Sequence, residues 1–132
     1  MSEDQIYFFA DVEVDTSRGC LKRGGEERHL RRKTFQVLLY LIKHRGSNIT
    51  KEELLKDVWQ DTAVVDDVLV QSIKDIRRII GDNPRNPHFI RTIPKVGYRF
   101  IAEVQSQNHP VKETEEQTPS IKASENKFKL RN

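Results

Sequence analysis

Leu69, Ile73, Ile76 and Ile80 recur at intervals of four, three and four, and Gly81 follows the last of them. That spacing lays one apolar stripe along an α-helix over residues 66–80, and the glycine ends it. Two β-rich runs come next, Phe89–Ile93 and Tyr98–Ile101, on either side of Pro94-Lys95-Val96-Gly97. They predict a hairpin. A chain that must bury a helical stripe beside a short hairpin has few compact arrangements open to it.

Two shorter helices are predicted upstream. Phe35, Leu38, Leu39 and Ile42 fall at i, i+3, i+4 and i+7, with Gly46 as the stop. Thr50-Lys51-Glu52-Glu53 reads as a capping box, the Thr50 hydroxyl accepting from the Glu53 amide while the Glu53 carboxylate reaches back. It opens a helix with Leu54, Leu55, Val58 and Trp59 inside. Asp66 is the predicted cap of the third helix. Residues 6–30 have the shorter period of strands: Ile6–Phe9, Val12 and Val14 alternating with acids, Cys20-Leu21, and a run ending at Leu30. Gly19 and Gly24-Gly25 mark the turns between them. The expected order is a small antiparallel sheet, three helices and a hairpin, which is an α+β fold.

The folded unit is expected to span about residues 5–104 of 132. Residues 105–132 are polar, contain Pro110 and Pro119, and hold too few apolar side chains to offset the entropy of ordering. They read as a flexible tail or linker. No apolar run approaches the roughly 18 residues of a membrane span, and the acidic N-terminus lacks a signal core. With Cys20 alone, no internal disulfide framework exists, and a reducing cytoplasm is the expected setting.

The total charge of +3 says little, but its distribution says more. Residues 1–30 carry four Lys/Arg against seven Asp/Glu, whereas residues 72–100 carry seven against two. Such asymmetry suits a surface that faces a polyanion, where each neutralised phosphate releases counterions. Two short helices, the second closely followed by a longer basic one, suggest a helix-turn-helix, and a basic hairpin after it suits a wing. With the Leu/Ile stripe inward, helix 66–80 turns Asp67, Val68, Val70, Gln71, Lys74, Asp75, Arg77 and Arg78 outward. Exposed valines beside Gln, Lys and Arg suit base edges and thymine methyls better than bare solvent.

These residues carry a resemblance. The tract from Phe9 to Phe35, with Leu30 before the first helix, together with ITKEELLKDVW (49–59), SIKDIRRIIGDNP (72–84) and FIRTIPKVGYRF (89–100), resembles OmpR/PhoB-type winged-helix domains. Within that family the chain is most similar to the ToxR/CadC-like branch, which carries the module at the N-terminus without a receiver domain. The resemblance covers about residues 6–104. It implies a transcription regulator of the phosphorelay-related class, with an N-terminal four-stranded antiparallel sheet, three helices and a C-terminal β-hairpin wing. By position, it implies DNA-binding roles for Val68, Gln71, Lys74, Asp75, Arg77 and Arg78 on the recognition helix. Lys95 matches the wing tip, and Thr92 and Tyr98 match positions near the phosphate backbone and the wing base. Two departures stand out. Asp75 replaces a cation common in relatives, and its carboxylate suits a cytosine amino group better than a phosphate. Arg31 stands where a threonine usually caps the first helix.

The remaining residues have plainer readings. Trp59 reads as a core anchor, and Cys20 as a small apolar residue packed in a strand. The four histidines lack ligand spacing, so no metal or cofactor is expected. Glu52 and Glu53 are accounted for by capping and the helix dipole. No phosphate loop, nucleophile elbow or Ser-His-Asp arrangement occurs, which argues against an enzyme. Arg85 and Arg91 read as further phosphate contacts, and Arg99 as either a DNA contact or an ion-pairing framework residue.

The expected function is sequence-specific binding of double-stranded promoter or operator DNA, with helix 66–80 in the major groove and the 94–97 tip in the minor groove. RNA polymerase and a second copy on tandem half-sites are the further partners expected. The rival is a winged-helix module that holds a protein partner through its sheet or its 60–65 loop. The tail closes with Lys127-Phe128-Lys129-Leu130-Arg131. In the ToxR/CadC-like branch a linker of this kind leads to a transmembrane helix, so the resemblance implies either the cytoplasmic head of an inner-membrane regulator, touching the membrane only through a segment absent from this chain, or a complete chain whose basic end is a weak anchor for anionic lipid or DNA.

Overall fold

A computed structural model of the chain describes residues 5–60 and 64–108. Four strands open it: β1 (Gln5–Phe9), β2 (Val12–Asp15), β3 (Cys20–Arg23) and β4 (Glu26–Arg28). Their antiparallel registers set Tyr7 opposite Val14, Phe9 opposite Val12, and Val14 opposite Leu21. These apolar residues therefore share one face, and that face is buried. Ile6, Asp15 and Cys20 line up on the other face. Burial, with the nearby Glu27 carboxylate, pushes the Cys20 thiol above its ordinary range. A thiol held protonated is a poor nucleophile, which fits its packing role.

Helix α1 (Arg32–Lys43) follows, then β5 (Ile49–Thr50), α2 (Lys51–Val58) and α3 (Asp66–Ile80). Strands β6 (Ile90–Ile93) and β7 (Gly97–Phe100) form the hairpin, and β5 pairs with β7 in a three-stranded sheet ordered β5-β7-β6. The core joins the inner face of the first sheet to all three helices and to Ile90, Tyr98 and Phe100 of the hairpin. No helix among the described residues is long and apolar enough to cross a membrane.

Several details differ from the sequence reading. The first sheet has five strands, not four, because β8 (Gln105–Asn108) pairs antiparallel with β1 in the order β4-β3-β2-β1-β8. The segment Gln-Ser-Gln-Asn has no apolar side chain to bury. Strand pairing needs only backbone N–H and C=O groups, which composition cannot report. The expectations for the tail from residue 109 onward lie outside the described residues. On α1 the stripe is centred differently: Val37 and Leu41 are fully buried, while Leu39 is half-buried. Leu55 on α2 is also only half-buried.

The caps follow the same pattern of partial agreement. Thr50 Oγ1 accepts from the Glu53 amide at 3.0 Å, as expected. Glu53 does not reach back, because its carboxylate takes the Tyr40 hydroxyl at 2.6 Å. Asp57 stands 2.6 Å from the same hydroxyl, so Tyr40 ties α1 to α2. Burial, then the hydrogen bonds to Asp57 and Glu53, hold the phenol well above its usual range. Val65, not Asp66, is the N-cap of α3, and it supplies no side-chain bond. Asp66 and Asp67 sit inside the first turn, where their charge favours the helix dipole instead. Gly81 ends α3 in the left-handed region, at φ 81°, with its amide donating to the Arg77 carbonyl.

Candidate nucleic-acid interface

Helix α3 is fixed by its inner stripe. Leu69, Ile73, Ile76 and Ile80 are all at most 1% exposed. Beside them, Ser72 is buried and its hydroxyl lies 3.2 Å from that of Thr34 on α1. This buried polar pair fixes the rotation of α3 about its axis more sharply than apolar contact alone. With that rotation set, Gln71, Lys74 and Arg78 stand exposed along the outer face, and Val70 is 36% exposed. Asp75 is half-buried between them. Its Oδ1 accepts from Gln71 Nε2 at 3.2 Å and from an Arg78 guanidinium nitrogen at 3.3 Å.

Two residues expected on the outer face are placed otherwise. Val68 is half-buried against the core, at the edge of a groove of about 580 Å³ between the start of α1 and α3. Trp59, 8% exposed, lies in the same groove and fits its reading as a core anchor. Arg77 turns sideways, leaving its side chain 11% exposed. Its guanidinium donates to the Ile90 carbonyl at 2.9 Å and to Thr92 Oγ1 at 3.0 Å. The helical position places its Cβ near the outer face, but a long side chain can lie flat over an apolar neighbour and find partners alongside. Arg77 and Thr92 thus brace the hairpin against α3.

Asp82 completes that brace. Its carboxylate is fully buried and accepts from the amides of His88 (2.7 Å), Phe89 (3.2 Å) and Ile90 (2.9 Å). Arg77 Nε is 3.9 Å away. One side chain therefore fixes the start of β6 to the end of α3. Sequence reasoning counted Asp82 only as a charge. The signal for it was Gly-Asp-Asn-Pro, since Asp beside a helix-ending glycine tends to bond nearby backbone amides.

At the tip, the Val96 amide donates to the Ile93 carbonyl at 3.0 Å, closing a turn with Pro94 and Lys95 at its centre. Lys95 is exposed and has φ 66°. Tyr98 lies directly opposite Thr92 but is only 5% exposed, so the wing base presents the threonine rather than the ring. Burial raises the Tyr98 phenol, with Arg77 acting in the opposite sense. Arg91 and Arg99 oppose each other on the hairpin's other face, and neither makes an ion pair among the described residues. The ion-pairing alternative for Arg99 is therefore not realised among the described residues.

A helix-turn-helix pair, α2 and α3, with a hairpin braced to the end of α3, defines a winged helix-turn-helix domain. A family model described as "Transcriptional regulatory protein, C terminal" matches residues 25–100, and the chain belongs to that OmpR/PhoB-type family. The chain is 31% identical over 92 residues to the transcriptional activator CadC of Escherichia coli (strain K12), covering 69% of this chain and 18% of that protein. Among solved structures it is similar to the response regulator DrrB, a Thermotoga maritima OmpR/PhoB homologue (TM-score 0.67, 36% identity, 73% of this chain and 44% of that one). It is also similar to the Klebsiella pneumoniae RstA DNA-binding domain, solved in complex with the RstA box (TM-score 0.64, 26% identity, 73% and 96%). The chain spans between 18% and 44% of the length of the curated relatives it matches.

Proposed function

We propose that this chain binds double-stranded DNA sequence-specifically as the DNA-reading part of a bacterial transcription regulator working in the cytoplasm. Helix α3 enters the major groove and the wing tip reaches the adjacent minor groove. The observation that carries this reading is the outer face of α3, where Gln71, Lys74 and Arg78 stand clear of the core beside a wing that displays Lys95. Gln71 is suited to an adenine edge, Lys74 and Arg78 to phosphate or guanine, and half-buried Val68 to a thymine methyl at the groove's rim. Arg77, Thr92 and Tyr98 act by holding the wing at a fixed angle to α3. Selection from randomised duplexes, followed by a salt titration on the enriched sequence, tests the proposal. Enrichment of one motif and a steep fall of affinity with salt are expected. Binding that ignores salt, or no enrichment, contradicts it and favours a protein-binding module.

Lys95 allows a sharper test. A non-glycine residue in the left-handed region costs about 1 kcal/mol, so a lysine is kept at the tip against its backbone preference. An ammonium aimed at a narrow, electronegative minor groove is a reason to keep it. Lys95→Gly should therefore stabilise the domain by up to about 1 kcal/mol while weakening duplex binding on the order of ten-fold. Thermal unfolding and a binding isotherm on one preparation read both. Unchanged affinity at moderate salt would remove the wing tip from the mechanism.

A second contrast lies on α3. Gln71→Ala should relax base preference at one position of the selected motif, whereas Lys74→Ala should weaken all duplexes alike. Identical selected motifs from the Gln71 variant and the parent would exclude a base-reading role for Gln71.

A further inference from the structure

Asp75 is the only acid on the outer face of α3 beyond its first turn, and it is not idle. Its Oδ1 accepts from Gln71 Nε2 at 3.2 Å and from Arg78 at 3.3 Å, so two of the three exposed polar side chains of α3 beyond its first turn are held by one carboxylate oxygen. Gln71, Asp75 and Arg78 are spaced four and three apart, which places them along one line of the helix. The Arg78 side chain is 70% exposed, and that of Asp75 is 22% exposed. The clamp therefore lies at the surface that would meet the groove. Asp75 Oδ2 has no hydrogen-bond partner among the described residues.

The consequence follows from charge and donor inventory. While the clamp is closed, the Arg78 cation is offset by the Asp75 anion and the Gln71 amide is occupied. If Gln71 and Arg78 turn to DNA, Asp75 is left as a bare carboxylate facing phosphates, which repel it. A hydrogen-bond donor on a base edge relieves that cost at the DNA surface itself. In the major groove those donors are the exocyclic amino groups of cytosine and adenine. We propose that Asp75 is a specificity-determining residue, which withholds Gln71 and Arg78 from DNA unless a base with an exocyclic amino group takes its carboxylate. This inference rests on the DNA-binding reading above. It makes discrimination depend on a penalty against wrong sequences as well as on contacts to the right one.

The test uses Asp75→Asn, which keeps size and one acceptor but loses the charge, and Asp75→Ala, which removes the clamp. Both are measured against a randomised duplex pool and against the duplex that the parent chain enriches. Affinity for the pool should rise on the order of ten-fold in both variants. The logarithmic salt slope should steepen by about one, as expected when one more cation becomes free for phosphate. The variants' selected motif should also lose its preference at one position. A purely structural role predicts a small change in unfolding temperature with pool affinity and salt slope unchanged, and that result overturns the proposal. If the parent chain itself shows no salt-dependent duplex binding, the DNA-binding reading fails first, and the two failures are told apart.

Discussion

Gly97→Ala is expected to cost the domain at least about 3 kcal/mol, at the upper end for added volume in a packed site. A Cβ at this position would be driven into the Ile49 carbonyl oxygen and would come within 2.9 Å of both the Ile49 carbonyl carbon and Thr50 Cα. Every one of those atoms is backbone, so no side-chain rotation can make room. Strand β5 would have to separate from β7 at the Thr50–Gly97 pair, which also carries the Thr50 cap of α2. The loss therefore spreads from the hairpin to the helix-turn-helix. Urea unfolding followed by circular dichroism measures it. A loss below about 1 kcal/mol would mean that β5 and β7 tolerate a wider spacing than the structure gives them.

Asp82→Ala should be comparably severe, at about 3–5 kcal/mol, the range for removing one partner from a buried charged network. The substitution leaves the amides of His88, Phe89 and Ile90 without their acceptor and Arg77 without its nearest anion. Asp82→Asn keeps one acceptor oxygen but sets an NH2 group against backbone donors, so it should recover only part of the loss. Amide exchange localises the effect. Faster exchange at residues 88–90 and along β6 is expected, and uniform protection across the domain would show that Asp82 is not the anchor of the wing.

Legibility in the sequence tracked the kind of force involved. The inner stripe of α3 was readable because burial repeats with the helical period, and each of Leu69, Ile73, Ile76 and Ile80 is buried. The hairpin was readable because β-rich runs flank a proline-containing turn, and β6 and β7 pair within one residue of the expected ends. Side-chain direction was not readable. The period places Arg77 near the outer face, yet its length lets it reach the Ile90 carbonyl and Thr92. Glu53 illustrates competition, since the capping spacing is present but the Tyr40 hydroxyl takes the carboxylate. The strand β8 was hidden because its hydrogen bonds are made by backbone groups that every residue shares. Asp75 was visible as a departure from the family pattern, but the clamp on Gln71 and Arg78 depends on rotamers that spacing alone does not specify.

If α3 and the wing tip meet DNA together, amide shift mapping will show it. The 15N-labelled chain is titrated with the duplex enriched by selection, at moderate salt. The largest perturbations are expected in residues 67–78 and 94–97, with β2, β3 and β4 unmoved. Perturbations confined to the N-terminal sheet, or none at saturating duplex, would contradict it.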